Sequence, residues 1–162
     1  MLLVKKLHDD AKLPTVANPG EDLAFDLYAL EDVIIWPNAG EPVKVRTGLS
    51  ACFIDDDIEY STWLGGSGPR VTKERIFGLV FKDRSSMAAK GITVSGGVID
   101  AGYRGELVVM LSKPGNSTYK ILAGDKIIQM IPVQVETKGE IKVVDVLPDS
   151  NRQERGFGST GQ

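Results

Sequence analysis

One cysteine, Cys52, and one histidine, His8, are all that the chain holds of either residue. That scarcity excludes an intrachain disulfide and a Cys/His zinc site, and it leaves a Ser-His-Asp triad only if His8 serves it. Catalysis by this chain therefore rests on carboxylates, hydroxyls, arginines, lysines or a metal held by oxygen. A basic excess is missing as well. Lys and Arg number 19 against 22 Asp and Glu, a net charge of −3, which gives no electrostatic reason for sustained contact with a phosphate backbone. Long nucleic acid is not an expected partner. No apolar run approaches the length of a membrane span, and the opening "MLLVKKLHDDAK" has charges where a signal peptide needs its apolar region. The expected location is the cytoplasm, or the host cytoplasm for a viral chain, with no membrane partner.

What is present is a series of short β-branched and aromatic runs separated by Pro, Gly, Asn and Asp: "LLVKKL", "AFDLYAL", "DVIIW", "PVKVRTGLSACFI", "IFGLVF", "GITVSGGVI", "GELVVMLS", "TYKIL", "KIIQMIPVQVE" and "IKVVDVL". Strands at this spacing predict an all-β sandwich or barrel in one domain. Arg84 to Lys90, "RSSMAAK", reads instead as a short helical turn, with serines able to cap it and helix formers behind them. Asp55 to Ile76 has no clear period and contains "GGSGP", so it reads as a loop excursion; its Trp63 is expected to pack down on the barrel. The β domain is expected over 1–147. From Pro148 to Gln162 the chain is polar and glycine-rich apart from Phe157, the composition of a flexible arm. A lone aromatic between glycines, with arginines before it and hydroxyls after it, suits a segment that closes over a flat ring and anionic groups.

"GGVIDAGYRGE", Gly96 to Glu106, raises a sharper question, because Asp100 follows Val98 and Ile99 where the pattern asks for a buried strand end. A charge there costs free energy unless it is paired, solvated or used. Taken alone, "DAG" is ordinary turn sequence.

Five segments in order, "AFDLYA" (24–29), "DRSSMAAKG" (83–91), "GGVIDAGYRGE" (96–106), "AGDKIIQMI" (123–131) and "RGFGSTG" (155–161), strongly resemble the five motifs of the trimeric dUTPases, across nearly the whole chain. The resemblance implies a distorted jelly-roll-like β-barrel, a homotrimer with its active sites at subunit interfaces, and Mg²⁺-assisted hydrolysis of dUTP to dUMP and pyrophosphate. On the same resemblance Asp100 is the general base that deprotonates the attacking water, and Gln129 lies near that water and the α-phosphate. Gly97, Val98 and Ile99 contact uracil through their main chain, and Tyr103 lies under the deoxyribose, where it disfavours a 2′-hydroxyl. Arg84, Ser85 and Ser86 hold charge growing on the leaving pyrophosphate. Asp26 stands near the hydrated metal without ligating it, since Mg²⁺ keeps several waters and takes phosphate oxygens. In the arm, Arg152 clamps the γ-phosphate, with Arg155 as the substitute; Phe157 stacks on uracil, and Ser159 and Thr160 lie near the phosphates. Arg104 is expected to support structure.

Two departures from the motif pattern stand out. The "QER" before the last motif is less glycine-rich than expected, and the 55–76 excursion is longer than the matching hairpin, which makes it a candidate surface for a protein partner. Such a regulatory binding role is one alternative to be weighed. The other is dCTP deaminase, which shares the fold and an "RSS...ID.G" skeleton. Its members carry an arginine where this chain has Ala89 and a catalytic glutamate where it has Met110.

Overall fold

The computed structural model describes residues 1–37, 40–53, 76–135, 141–146 and 148. Eleven strands and one helical turn follow one another in it: β1 (Leu2–Lys6), β2 (Phe25–Tyr28), β3 (Val33–Ile35), β4 (Val43–Arg46), β5 (Leu49–Phe53), β6 (Ile76–Asp83), α1 (Ser85–Ala88), β7 (Thr93–Ser95), β8 (Val98–Ile99), β9 (Val108–Ser112), β10 (Tyr119–Ile121) and β11 (Lys126–Val135). Period-2 burial is plain in β9, where Val109 and Leu111 are inside and their neighbours half-buried. All pairings are antiparallel, in sheets ordered β1-β5, β10-β3, β2-β11-β6-β8 and β4-β9-β7. The sheets wrap a single apolar core that includes Leu27, Val45, Leu49, Ile92, Leu107 and Met130, each fully buried. This is the expected distorted jelly-roll.

The long strand β11 organises the site. Its Pro132 sits opposite Leu79 of β6. Phe81 N–H donates to Gly97 O (2.7 Å), so Phe81 and, two residues away, Leu79 turn their backbone groups toward β8. Pro132 therefore occupies a non-hydrogen-bonded pair with β6, and β2 ends its pairing at Phe25↔Met130 on the other side. The missing N–H is asked of no partner, which is why a proline is tolerated in the strand. Between Lys126 and Ile128 the β2 register shifts by one residue. This bulge buries both Ile127 and Ile128 and brings Lys126 opposite Tyr28 while Gln129 is opposite Asp26. Tyr28 and Asp26 share a face of β2, so the bulge puts Lys126 and Gln129 on that face too; in a regular strand residues three apart would point to opposite sides.

Three sequence expectations are adjusted. "PVKVRTGLSACFI" is two strands, broken at Gly48, whose φ of +68° is a left-handed conformation suited to glycine. "GITVSGGVI" is likewise two, broken at Gly96 and Gly97. "IKVVDVL" forms no strand over 141–146, where Ile141 and Val143 are 93% and 92% exposed: an apolar segment needs a sheet to join, and none among the described residues takes it. The serines of α1 also do not cap it. Arg84 holds the N-cap position with no side-chain cap bond, because a guanidinium has no acceptor for a backbone N–H; it pairs with Asp26 instead, and Ser85 and Ser86 are exposed in the first turn. Residues 54–75, and with them Trp63 and nearly all of the predicted excursion, lie outside the described residues. So does the arm beyond Pro148, including Arg152, Arg155, Phe157, Ser159 and Thr160.

Candidate active site

Asp26 on β2 is the centre of a basic cluster. It is one of few buried polar side chains, 7% exposed, and a backbone bridge to Thr15 holds it in place. Arg84 Nε donates to its Oδ1 at 2.9 Å and Lys126 Nζ approaches its Oδ2 at 2.8 Å. Two cations against one carboxylate compensate the buried charge and leave a net positive cluster. The hydrogen bond to Asp26, with its negative charge, raises the Lys126 pKa, so that amine stays protonated across neutral pH. Arg84, Ser86, Lys90, Tyr119 and Lys126 line a cavity of about 260 Å³ beside the cluster, with one carboxylate, Asp125, against these three cations. Lys90 donates to the Tyr119 hydroxyl at 2.8 Å, so a further cation is held at this wall. Gln129 stands in the row Asp26–Gln129–Lys82 across β2, β11 and β6, on the sheet face turned from the core. Ser85 is exposed next to Arg84. Guanidinium, ammonium and hydroxyl groups around one cavity are an arrangement for phosphate oxygens.

The third motif forms a separate structure. Gly97 has no room for a side chain, since a Cβ would lie 2.8 Å from Phe81 O. Val98 and Ile99 form β8, the edge strand, paired with Val80 and Leu79. The antiparallel alternation that turns Gly97 to β6 leaves the N–H and C=O of Val98 on the open edge. Asp100 then enters a turn closed by Tyr103 N–H to Asp100 O (2.9 Å). The question raised by its position has a simple answer: Asp100 is exposed, as is Val98 at 74%, so its charge is solvated. Arg104 Nη1 donates to Ala101 O and Tyr103 O, both at 2.8 Å, and so fastens the turn. The Tyr103 ring, 43% exposed, lies so close over Gly105 that no Cβ fits there, and its hydroxyl donates to Glu106 O at 3.0 Å.

Among the described residues these two halves lie apart along the sheet. Ile99 is opposite Leu79, and Arg84 lies a further five residues along, roughly 16 Å away at strand rise. Sequence reasoning named Asp26, Arg84 and Gln129 but passed over Lys126, Lys90, Tyr119 and Glu106. For Lys126 a signal existed: the adjacent isoleucines of "KIIQ" break the alternation and mark the bulge. Among the described residues no three His, Cys, Asp or Glu side chains converge as metal ligands.

With this geometry in hand, comparison with known proteins gives a consistent result. The family model described as dUTPase matches residues 9–161. The deoxyuridine 5′-triphosphate nucleotidohydrolase of Clostridioides difficile is 39% identical over 163 residues, covering 99% of this chain and 97% of its own length. That of Vaccinia virus (strain Copenhagen) is 35% identical over 151 residues, covering 93% and 86%. Among solved structures, a Staphylococcus bacteriophage 80alpha dUTPase mutant with dUpNHpp superposes with a TM-score of 0.77 at 22% identity, covering 100% of this chain and 99% of that one, which establishes the shared fold. The jelly-roll with a basic cluster and a glycine-flanked acidic hairpin is thus one of a known class of nucleotide-hydrolase folds. The chain belongs to the dUTPase family.

Proposed function

We propose that the chain hydrolyses dUTP to dUMP and pyrophosphate at sites shared between the copies of a homotrimer. One observation carries this reading beyond family membership: the phosphate-type cluster around Arg84 and the hairpin that bears the exposed Asp100 are both built, yet Ile99, the residue before Asp100, already stands roughly 16 Å along the sheet from Arg84. Successive phosphates of one substrate cannot span that gap while a water on Asp100 attacks the first of them. A second copy that brings its hairpin to this chain's cluster closes it. The sheet face carrying Gln129 also carries Val80, Val98, Ile131 and Val133, an apolar row with Val98 74% and Val133 39% exposed, which suits burial against such a copy.

In the assembled site the open edge at Val98, with Gly97 and Ile99 beside it, reads uracil. A fixed donor and acceptor edge leaves its own groups unpaired when another base enters, and this gives discrimination. The exposed Tyr103 ring lies under the deoxyribose. Asp100 takes a proton from water as the oxygen bonds to the α-phosphorus, the bond to the bridging oxygen breaks, and pyrophosphate leaves. Arg84, Ser85 and Ser86 hold the charge that grows on it, and Gln129 orients the water. The arm, with Arg152 or Arg155, Phe157, Ser159 and Thr160, closes over the nucleotide. Mg²⁺ fits as an ion borne by the phosphates and water, because both oxygens of Asp26 are already engaged by Arg84 and Lys126. When bound it neutralises phosphate charge, with Asp26 outside its direct ligands.

Side-by-side assays of pyrophosphate release from dUTP, dCTP, dTTP and UTP test the reading. Release from dUTP alone is expected. Ammonia from dCTP without pyrophosphate would move the chain to deamination, against which Met110, a β9 strand residue opposite Lys44, already speaks.

A further inference from the structure

The internal bonds of the Asp100–Glu106 turn fix its shape but not its place on the protein. That place is set by contacts with the turn between β4 and β5 and with the first residues of β5. Leu107 N–H donates to Leu49 O (2.7 Å), Thr47 Oγ1 to Leu107 O (2.7 Å) and Ser50 Oγ to Arg104 O (2.8 Å). The one charged member is Glu106. Its Oε1 accepts from Gly48 N–H at 2.8 Å and from Arg46 Nε at 3.2 Å, and its Oε2 accepts from Arg46 Nε at 3.1 Å. The carboxylate side chain is 19% exposed, whereas Arg46 is 46% exposed. Gly48 admits no side chain: its φ is +68°, and a Cβ there would lie 2.9 Å from that of Ala11.

From this carboxylate a chain of contacts runs to the reacting groups. The backbone oxygen of Glu106 receives the Tyr103 hydroxyl, and the Tyr103 N–H holds Asp100 O. Resting on the activity proposed above, we infer that Glu106 is a positioning residue. Anchored on Arg46 and Gly48, it holds the Tyr103 ring and the Asp100 carboxylate where base, sugar and water need them, and so contributes both to turnover and to rejection of a 2′-hydroxyl.

The test is steady-state kinetics of the full chain on dUTP and on UTP for wild type, Glu106→Ala, Glu106→Gln and Arg46→Ala, with a thermal melt of each. A small misplacement of a catalytic group costs up to about 10²-fold, so Glu106→Ala is expected to lower kcat on dUTP by about 10-fold or more, to change KM less, and to narrow the dUTP/UTP preference by a similar factor. Glu106→Gln keeps an acceptor for Gly48 N–H and should recover most of that loss. Arg46→Ala should move kcat and preference in the same direction to a smaller extent, and it carries the test if Glu106→Ala does not fold. A lowered melting temperature with wild-type kcat and preference in the folded variants would overturn the inference, leaving Glu106 a purely structural anchor. A wild type that leaves dUTP intact would instead overturn the activity on which it rests.

Discussion

At the scale of single residues, charge placement separates the two carboxylates that matter. Asp26 is buried and held between two cations, one on each oxygen, which suits it to fix Arg84 and Lys126. Asp100 is exposed beside an aromatic ring and an open backbone edge, free to hold a water. Its substitution is therefore the more informative. Asp100→Asn keeps the size and the turn, so melting temperature and nucleotide binding should be retained while turnover falls by about 10² to 10⁴, the usual worth of a positioned base. Stopped-flow binding of a uracil nucleotide together with product release measures both sides of that expectation. Asp26, Arg84 and Asp100 were legible in the sequence because ordered motifs mark them. Glu106 was not, since its importance lies in reaching Gly48 and Arg46, about 60 residues earlier in the chain, a contact no local pattern encodes.

At the scale of elements, β-branched and aromatic runs between turn residues predicted nearly every strand, and the failures have physical causes. Gly48 with its left-handed backbone and the Gly96-Gly97 pair divide runs that look continuous, and the bulge at Ile127, marked in sequence by the adjacent isoleucines of "KIIQ", gets its effect on neighbouring groups only once β2 supplies the register. A second electrostatic anchor lies where β3 meets β10. Lys120 pairs with Asp32 at 2.9 Å, and the carboxylate also accepts from Ala123 N–H at 2.9 Å. The Lys120 hydrogen bond first, then that of Ala123, holds the Asp32 carboxyl below its ordinary pKa. A lowered folded-state pKa adds stability above the unfolded pKa that is lost as pH falls through the folded value. Wild type should thus melt above Asp32→Asn by a constant margin from neutral pH down to about 5, and the margin should shrink below about pH 4, as thermal melts across that range will show. The pair is solvent-exposed, so added salt should also narrow it.

At the scale of the whole molecule, separation of the two half-sites has a direct consequence. If the hairpin of one copy serves the cluster of another, two inactive variants, Asp100→Asn and Arg84→Ala, should complement each other. Co-refolding them in equal amounts should restore about a quarter of wild-type turnover, because with random mixing about a quarter of the shared sites draw an intact hairpin from one kind of subunit and an intact cluster from the other. Turnover that stays at the level of the separate variants would place both halves in one chain. The sequence by itself determined the β class, through short β-branched and aromatic runs punctuated by turn residues, and it determined the chemical inventory, through the near absence of histidine and cysteine and the order of its motifs. Tertiary structure alone decided which groups meet: the bulge that aligns Lys126 with Gln129, the pairing of Asp26 with Arg84 and Lys126, the anchoring of Glu106, and the separation of the Asp100 hairpin from the Arg84 cluster. Those are products of strand register, and register is fixed by how faces bury against one another across the sheet, which local sequence does not state.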